Sequence, residues 1–377
     1  MSKEQKVREA FANQIEYCRA NGAPITARIV EAIIEAINAG DGGDGVGRRV
    51  LDWNGDPLAD ALPLRITGGF HALHLGGQHD RLSAIYNGDE AAFADAVQII
   101  ADIIASDEAA LLPWLDSPPQ TNEAGRSSSY MAGLLWLTAR GLPPCYELLE
   151  IGSSAGLNLL IDRYHYDLGG VSVGPDNARL SFKPEWQGPP PPAAPFAFES
   201  IRGCDIAPVD LADPAQARRL TAYIWPEHQV RIERMDAAIA LVNETPPRLE
   251  ASGAGDWIIR QLAKPQKEGV TRVLMHSIVW QYIDREEQEH ITQAMEAAGA
   301  KATAERPLVW LSLEANRENY RHELVIRHWP GDGQPVKLGE AHAHGAWVKW
   351  LGVPTRQSYQ PIVYIILFRI TRQVQTP

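Results

Sequence analysis

Residues 146–164 read "YELLEIGSSAGLNLLIDRY", an apolar run that ends at an acid, a loop of small residues and then a helical pattern. The apolar run has the length of a buried strand, and the small residues permit a tight bend before the helix. Such a bend either holds backbone N–H groups against a cofactor at a helix N-terminus or presents Ser154 as a nucleophile. Both interpretations fit these residues, so the rest of the chain must decide between them.

Beyond residue 140 the chain alternates short apolar runs with helical patterns, which is typical of βαβ units around a mostly parallel sheet. The pattern predicts strands at 145–151, 196–206, 271–279, 307–314, 322–329 and 362–370. It predicts helices at 156–163, 213–243 and 284–299. A hairpin that turns at Gly169-Gly170 and a Pro-rich stretch at 187–195 make an insertion at about 164–195. The pattern assigns no role to residues 352–377.

Before residue 140 the apolar spacing is helical. Ile25, Ile29, Ile33 and Ile37 recur every four positions and Gly40 follows them as a stop signal. A second helical stretch begins near Asp89 and ends before "DSPPQ", while "DGGDGVGRR" at 41–49 has the composition of a flexible loop. We therefore predict a helical domain at 1–140 and an α/β domain at 141–377.

Composition narrows the class of protein. The 377 residues are 45% hydrophobic and 22% charged, as expected of a soluble globular chain, and the net charge of −12 disfavours nucleic acid as a partner. No stretch approaches the roughly 20 apolar residues of a membrane span, and the N-terminus lacks the apolar segment of a signal peptide. Three widely spaced cysteines suggest neither disulfides nor a metal site. We expect a cytoplasmic protein whose partner is a small molecule.

The nucleophile interpretation requires an acid and then a histidine after the serine. Ser154, Asp256 and either His342 or His344 have the order of an α/β hydrolase triad. That fold also needs several strands before the nucleophile, whereas the preceding residues are helical in pattern. The context therefore disfavours a hydrolase.

The cofactor interpretation needs a strand, a small-residue loop and a helix N-terminus, and all three are present. "LLEIGSSAG" at 148–156 resembles the nucleotide loop of class I S-adenosylmethionine-dependent methyltransferases, with Ser154 where that family usually has its middle glycine. The full G-x-G-x-x-G of dinucleotide sites is absent. The resemblance implies a Rossmann-like fold, S-adenosylmethionine as cofactor and a loop site formed by Glu150, Gly152, Ser153, Ser154, Gly156 and Asn158.

Polar residues at the ends of the later strands extend this prediction. Asp205 follows the second strand, where an acid can bind a ribose. In the methyltransferase pattern Asp256 and Trp257 would lie near the adenine. The carboxyl end of 271–279 would bring His276, as a base, to the reaction centre together with Ser277, Trp280 and Tyr282. Each residue also has a structural alternative: a turn, a helix cap or a core position.

The segment "PPQTNEAGRSSSY" at 118–130 is polar and precedes an apolar helix. Its Thr121 or Asn122 could cap that helix. Arg126 could instead bind a carboxylate of cofactor or substrate, with Glu123 beside it and Gln120 and Asn122 touching the substrate. A surface salt bridge is the alternative for Arg126.

Several longer strings resemble one bacterial family, the domain of unknown function numbered 2332. They are "PPQTNEAGRSSSY", "EIGSSAGLNLLIDRY", "GCDIAPVDL", "AYIWPEHQVR", "MHSIVWQYI" and "HGAWVKWL", within roughly residues 5–351. The resemblance implies a class I methyltransferase-like fold, and the positions that match are Gln120, Thr121, Asn122, Glu123, Arg126, Glu150, Gly152, Ser153, Gly156, Asn158, Trp225, Pro226, His276 and Gly345.

Two functions follow as hypotheses. One is methyl transfer from S-adenosylmethionine to a small molecule, and the other is non-catalytic binding of S-adenosylmethionine or another nucleotide. Two further histidine groups raise the question of a metal: His71, His74 and His79 lie close together, and His342 and His344 would share one face of a strand. No acidic or cysteine set completes a metal site, so we predict none.

Overall fold

A computed structural model of the chain describes residues 2–40 and 43–352. These residues form two compact units. The first comprises Met1–Thr121 and Leu211–Asp236, and the second comprises Asn122–Asp210 and Ala237–Pro377, each as far as it is described. The boundary therefore falls earlier than the predicted residue 140, and a later segment returns to the first unit.

The first unit is helical. Its helices are α1 (Lys3–Ala20), α2 (Pro24–Asn38), α3 (Arg48–Leu51), α4 (Leu62–Leu75), α5 (Asp80–Tyr86), α6 (Glu90–Ala94), α7 (Ala96–Leu111), α9 (Pro214–Ala222) and the first part of α10 (Gln229–Glu244). Ile29, Ile33 and Ile37 of α2 are buried in the core of this unit and Ile25 packs against it. The helix that we predicted from the four-residue spacing of these isoleucines is thus confirmed.

Two helical predictions need correction. The predicted helix 213–243 is interrupted at Pro226, between α9 and α10, because proline lacks the N–H that a continuing helix needs. The predicted loop at 41–49 contains a π-helical turn at Gly43–Gly47, followed directly by α3.

The connection between α9 and α10 stabilises another helix. Ala23 precedes α2 and offers no side-chain cap. The Glu227 carboxylate accepts hydrogen bonds from the backbone N–H and the hydroxyl of Thr26, at 2.8 and 2.7 Å. Glu227 thereby satisfies an N–H in the first turn of α2 from a distant part of the sequence.

The second unit contains α8 (Ser127–Ala139), α11 (Ala254–Leu262) and α12 (Arg285–Gly299) around its sheets. Its strands are β1 (Cys145–Ile151), β2 (His165–Leu168), β3 (Val171–Val173), β4 (Ser181–Phe182), β5 (Glu185–Gln187), β6 (Ala197–Asp205), β7 (Leu249–Ala251), β8 (Thr271–Ser277), β9 (Leu308–Asn316), β10 (Arg321–Trp329), β11 (Val336–Ala341) and β12 (Trp347–Trp350).

Nine of these strands form one mixed sheet in the order β5-β12-β11-β10-β9-β8-β1-β6-β7. Five neighbouring strands, β7, β6, β1, β8 and β9, are mutually parallel. Strands β9 to β12 form an antiparallel meander. Strand order reverses at β1, because the chain moves first to β6 and β7 and then crosses to β8 on the other side. The carboxyl ends of β1 and β8 therefore flank a topological switch point, the usual place for a ligand in an open α/β sheet.

All five strands predicted between residues 145 and 329 are present, and the hairpin of β2 and β3 turns at Gly169-Gly170 as predicted. The predicted strand at 362–370 and most of the tail lie outside the described residues. His342 and His344 are not on a strand, since they lie in the turn between β11 and β12. Among the described residues, no helix is long and apolar enough to cross a membrane.

Candidate ligand site

The quoted bend joins β1 to a 3₁₀ helix at Leu157–Arg163. Gly152, Ser154 and Gly156 all have positive φ, at 66°, 53° and 75°. A Cβ on Gly152 would lie 2.2 Å from the side chain of Val279, and one on Gly156 would lie 2.9 Å from Pro247. Backbone conformation and close packing within the unit therefore explain both glycines.

The N–H groups of the bend are mostly used inside the protein. Ser153 donates to the Cys204 carbonyl at 3.0 Å, Gly156 donates to the Ser153 carbonyl at 2.7 Å, and Leu157 donates to the Asn122 side chain at 2.9 Å. This corrects the expectation that these N–H groups face a ligand. It also assigns Asn122 a structural contact instead of the predicted substrate contact.

Asp205 fastens the same bend to the end of β6. One carboxylate oxygen accepts the N–H of Ser154 at 2.8 Å and the other accepts the N–H of Ala207 at 2.9 Å. The side chain remains half-buried, and an ionised carboxylate has about four lone-pair sites. Asp205 therefore has acceptor capacity beyond these two bonds. The next residue, Ile206, is 85% exposed.

Glu150 and Asn158 form a buried polar pair beneath the bend. The Asn158 amide nitrogen donates to Oε1 of Glu150 at 3.1 Å, and both residues are buried. Oε2 of Glu150 and Oδ1 of Asn158 have no hydrogen-bond partner among the described residues. Burial raises the pKa of Glu150 to about 7, although Ser153, Asn158 and the positive charge of Arg126 oppose the rise. These two buried acceptor oxygens therefore receive no hydrogen bond from the described residues.

His276 has both ring nitrogens engaged. The Trp310 indole N–H, which can only donate, points at Nε2 of His276 at 2.8 Å. Nε2 must therefore accept, so Nδ1 carries the proton and donates it to Oε1 of Glu314 at 2.7 Å. The ring also stacks on Trp280, with centroids 5.1 Å apart. This bonding contradicts the prediction that His276 acts as a base, because neither nitrogen is left for a substrate proton.

Arg126 lies at the carboxyl end of β8. Its Nε donates to the Ala343 carbonyl at 2.7 Å, and its Nη1 is 3.5 Å from the Ser277 hydroxyl. Arg126, Ser277 and the neighbouring Glu123 are all buried. A surface salt bridge is therefore not the role of Arg126, and the structure brings two predicted site residues, Arg126 and Ser277, together.

Other predicted site residues lie elsewhere. Asp256 is exposed in the first turn of α11, while Trp257 is fully buried in the core between α11 and the sheet. Tyr282 is 76% exposed. Gln120 belongs to the helical unit.

Ser154 lacks the base that a nucleophile needs. Its hydroxyl is buried and has no hydrogen-bond partner among the described residues. An activated serine has a base within hydrogen-bond reach. The geometry therefore disfavours the hydrolase interpretation.

The histidine groups show no metal site. Within the described residues, no cluster of three or more potential ligand side chains could hold a metal ion. In the helical unit His71 and His74 both stack on Tyr86, at 5.0 and 4.3 Å between centroids. Desolvation lowers the pKa of His71 to about 4, so it is neutral near pH 7 and packs as a core residue.

Sequence reasoning missed Glu314 and Trp310. Both lie on β9, beside His276 on β8. A signal was present, since the predicted strand at 307–314 ends at an acid, as the strand before the bend does at Glu150. The pairing of β9 with β8 is what turns that acid into a partner of His276.

The chain matches one family model over residues 8–350, described as "Uncharacterized protein conserved in bacteria (DUF2332)". The chain belongs to this family. The DUF2332 match confirms the family resemblance of the sequence and takes in residues of both units. Searches of curated proteins and of solved structures found no match to the chain.

Proposed function

We propose that the sheet unit binds S-adenosylmethionine at the carboxyl ends of β1, β6 and β8 and transfers its methyl group to a small molecule. The observation that carries this proposal is the buried pair of unpartnered acceptors, on Glu150 and Asn158, at the topological switch point. Buried acceptors without donors are costly, and a ligand that supplies N–H or O–H groups removes that cost.

Strand order supports a Rossmann-like interpretation of the sheet. The parallel strands β7-β6-β1-β8-β9 have the 3-2-1-4-5 arrangement of a doubly wound fold. Their connections place the bend, Asp205 and Ser277 at one edge, as a nucleotide site requires. The methyltransferase type of this fold is part of the proposal.

The residues at this edge suit the parts of the cofactor. Oε2 of Glu150 and Oδ1 of Asn158 would accept hydrogen bonds from its ammonium group. Asp205 would accept from the ribose hydroxyls, and the exposed Ile206 beside it offers an apolar surface to the adenine. The cofactor, when bound, supplies a methyl group activated by a sulfonium, so the protein contributes mainly binding and orientation.

Non-catalytic binding is the second candidate function. It is favoured by the occupied nitrogens of His276, which leave the predicted base unable to act. A sensor of S-adenosylmethionine would need Glu150 and Asn158 to bind the ammonium group and Asp205 to bind the ribose. It would need no group that takes a proton.

Titration calorimetry with S-adenosylmethionine and S-adenosylhomocysteine tests the shared first step. We expect saturable binding to the wild type and at least a tenfold weaker affinity in Glu150→Gln, which removes the negative charge at nearly constant shape. Glu289→Gln, an exposed change on α12, is the matched control and should bind as the wild type does. Absence of binding at millimolar ligand would remove both candidate functions.

An assay for S-adenosylhomocysteine release then separates them. We expect turnover with at least one acceptor from a panel of small amines and alcohols. Binding without release across the panel would favour the sensor.

A further inference from the structure

We infer that Glu314 receives the substrate, through Oε2, and that His276 is a positioning residue that holds Glu314 in place. The inference rests on the proposed ligand site at this edge of the sheet, but not on the identity of the cofactor. It assigns the substrate a group with an N–H or O–H donor, such as a primary ammonium.

The bonds to Glu314 leave one oxygen available. Nδ1 of His276 donates to Oε1 at 2.7 Å and the backbone N–H of Val279 donates to the same atom at 3.2 Å. Neither of these bonds involves Oε2, and the side chain is 17% exposed. The carboxylate is therefore fixed through one oxygen while the other can face a ligand.

Two neighbours and deep burial prevent His276 from turning away from Glu314. The Trp310 N–H fixes Nε2 as an acceptor, and Trp280 stacks on the ring face. Only 3% of the His276 side chain is exposed. This arrangement selects one tautomer and one ring orientation, which is how a histidine positions a carboxylate.

The charges around Glu314 favour a donor group on the ligand. Burial raises the pKa of Tyr130 well above its usual value, and the nearby carboxylates of Glu150 and Glu314 raise it further, while Ser277 and Arg126 oppose the rise. Tyr130 therefore stays a neutral hydroxyl at ordinary pH. A carboxylate oxygen accepts hydrogen bonds and repels anions, so an ammonium suits Oε2 of Glu314 better than an anion does.

Long-range ¹H–¹⁵N NMR on histidine-labelled protein tests the positioning role of His276 and, with an added ligand, the binding role of Glu314. It needs no enzymatic assay. The His276→Gln spectrum identifies the His276 signals. We expect Nδ1 to be protonated and Nε2 to be a bare acceptor in the wild type. A protonated Nε2 would overturn the inference.

Methylammonium chloride is the probe for the free oxygen, with tetramethylammonium chloride as a control of equal charge that lacks N–H donors. We expect methylammonium alone to shift the His276 signals saturably. In Glu314→Gln the amide oxygen can still accept from His276 and Val279, but the other position becomes a donor. The apparent affinity for methylammonium should then fall at least tenfold, while Glu289→Gln keeps it.

A wild type that does not respond to methylammonium, or a response that persists in Glu314→Gln, would overturn the inference. If Glu314→Gln misfolds, Glu314→Asp, which keeps the charge but withdraws it, should weaken the same response. Calorimetry with S-adenosylhomocysteine keeps the two proposals apart. If the wild type does not bind S-adenosylhomocysteine, the proposed function is contradicted. The methylammonium response tests the role of Glu314 independently of that result.

Discussion

Glu150 shows how burial changes the properties of one carboxylate. Its sequence position, at the end of an apolar run, was enough to predict that it lies where the strand enters the bend. Its pKa of about 7 was not predictable, because it depends on complete burial and on the neighbours Ser153, Asn158 and Arg126. The residue is thus poised between a neutral donor and a charged acceptor near neutral pH.

This pKa predicts how stability depends on pH. The folded pKa of Glu150 is about 7 and the ordinary value is 4.5, so between these values the folded protein binds more protons than the unfolded chain. Its contribution to stability is present below pH 4.5 and is lost as pH rises through 7. At 1.36 kcal/mol per unit the loss amounts to about 3 kcal/mol.

We therefore compare the free energy of unfolding of Glu150→Gln with that of the wild type. The difference should shift in favour of the variant by about 2–3 kcal/mol when the pH is raised from 5 to 8. Urea denaturation at both pH values measures the difference, and other titrating groups cancel in the comparison. An equal difference at both pH values would contradict the raised pKa.

Ser154 carries a second prediction at this scale. Its φ of 53° is a left-handed conformation that glycine adopts more readily, and its hydroxyl has no hydrogen-bond partner among the described residues. Ser154→Gly should therefore raise the free energy of unfolding by about 0.5–1 kcal/mol. Ser154→Ala removes the same unpartnered hydroxyl without relieving the backbone, so it should raise the free energy of unfolding by less than Ser154→Gly does. Equal effects of both changes in chemical denaturation would refute this explanation.

At the scale of elements, strands β1 and β8 are tied at their amino ends by a buried ion pair. Nε of Arg272 donates to Glu147 at 2.8 Å, and its other nitrogens donate to backbone carbonyls at the end of α11 and in the segment after it. The Arg272 side chain is only 4% exposed. Removing it leaves Glu147 partly buried and without this partner.

We expect Arg272→Met to lower the free energy of unfolding by about 3–5 kcal/mol. The double variant Arg272→Met/Glu147→Met should recover part of that loss, because it removes the carboxylate that the single variant leaves without Arg272, although Arg202 then loses its 3.6 Å contact with Glu147. Denaturant titration of the three proteins measures the coupling. If the double variant is no more stable than the single one, the buried charge is not the cause.

Helix α2 depends on Glu227 in a comparable way. Glu227→Ala removes the acceptor for the Thr26 N–H and hydroxyl, so we expect a loss of about 1–2 kcal/mol. Hydrogen exchange should show lower protection in the first turn of α2. Unchanged protection there would mean that another group, such as water, replaces the carboxylate.

Sequence patterns predicted the strands that are long and rich in apolar residues. Strands β1, β6, β8, β9 and β10 are long runs with many apolar residues, whereas β7, β11 and β12 are short or more polar and were missed. The parallel strands β6, β1, β8 and β9 were therefore predictable, whereas the short parallel edge strand β7 and the meander beyond β10 were not. Hydrogen-bond partners across strands, such as Trp310 with His276, depend on register and need coordinates.

At the scale of the whole molecule, the sequence pattern predicts two domains that divide at residue 140, whereas the two compact units of the structure divide at Asn122. Pattern changes near residue 140 mark the first strand, whereas the second unit already begins at Asn122. No local signal indicates that residues 211–236 return to the helical unit, because that assignment depends on tertiary contacts such as the one between Glu227 and Thr26.

The proposed ligand should stabilise one unit in particular. At about 100 times its dissociation constant a ligand adds about 2.7 kcal/mol to the free energy of unfolding. With S-adenosylhomocysteine we expect slower hydrogen exchange at residues 150–158 and 203–207, and no change in α1. Protection in α1 with none at the bend would relocate the site.

The interleaved course of the chain has a consequence for how the protein is made. During synthesis helices α1 to α7 leave the ribosome long before Glu227, so α2 acquires its carboxylate cap only after β1 and β6 have been translated. A gene truncated after codon 121 would encode α1 to α7 but not Glu227, so α2 would lack its carboxylate cap. A self-sufficient helical fragment would instead have to splice codons 211–236 onto the truncated gene.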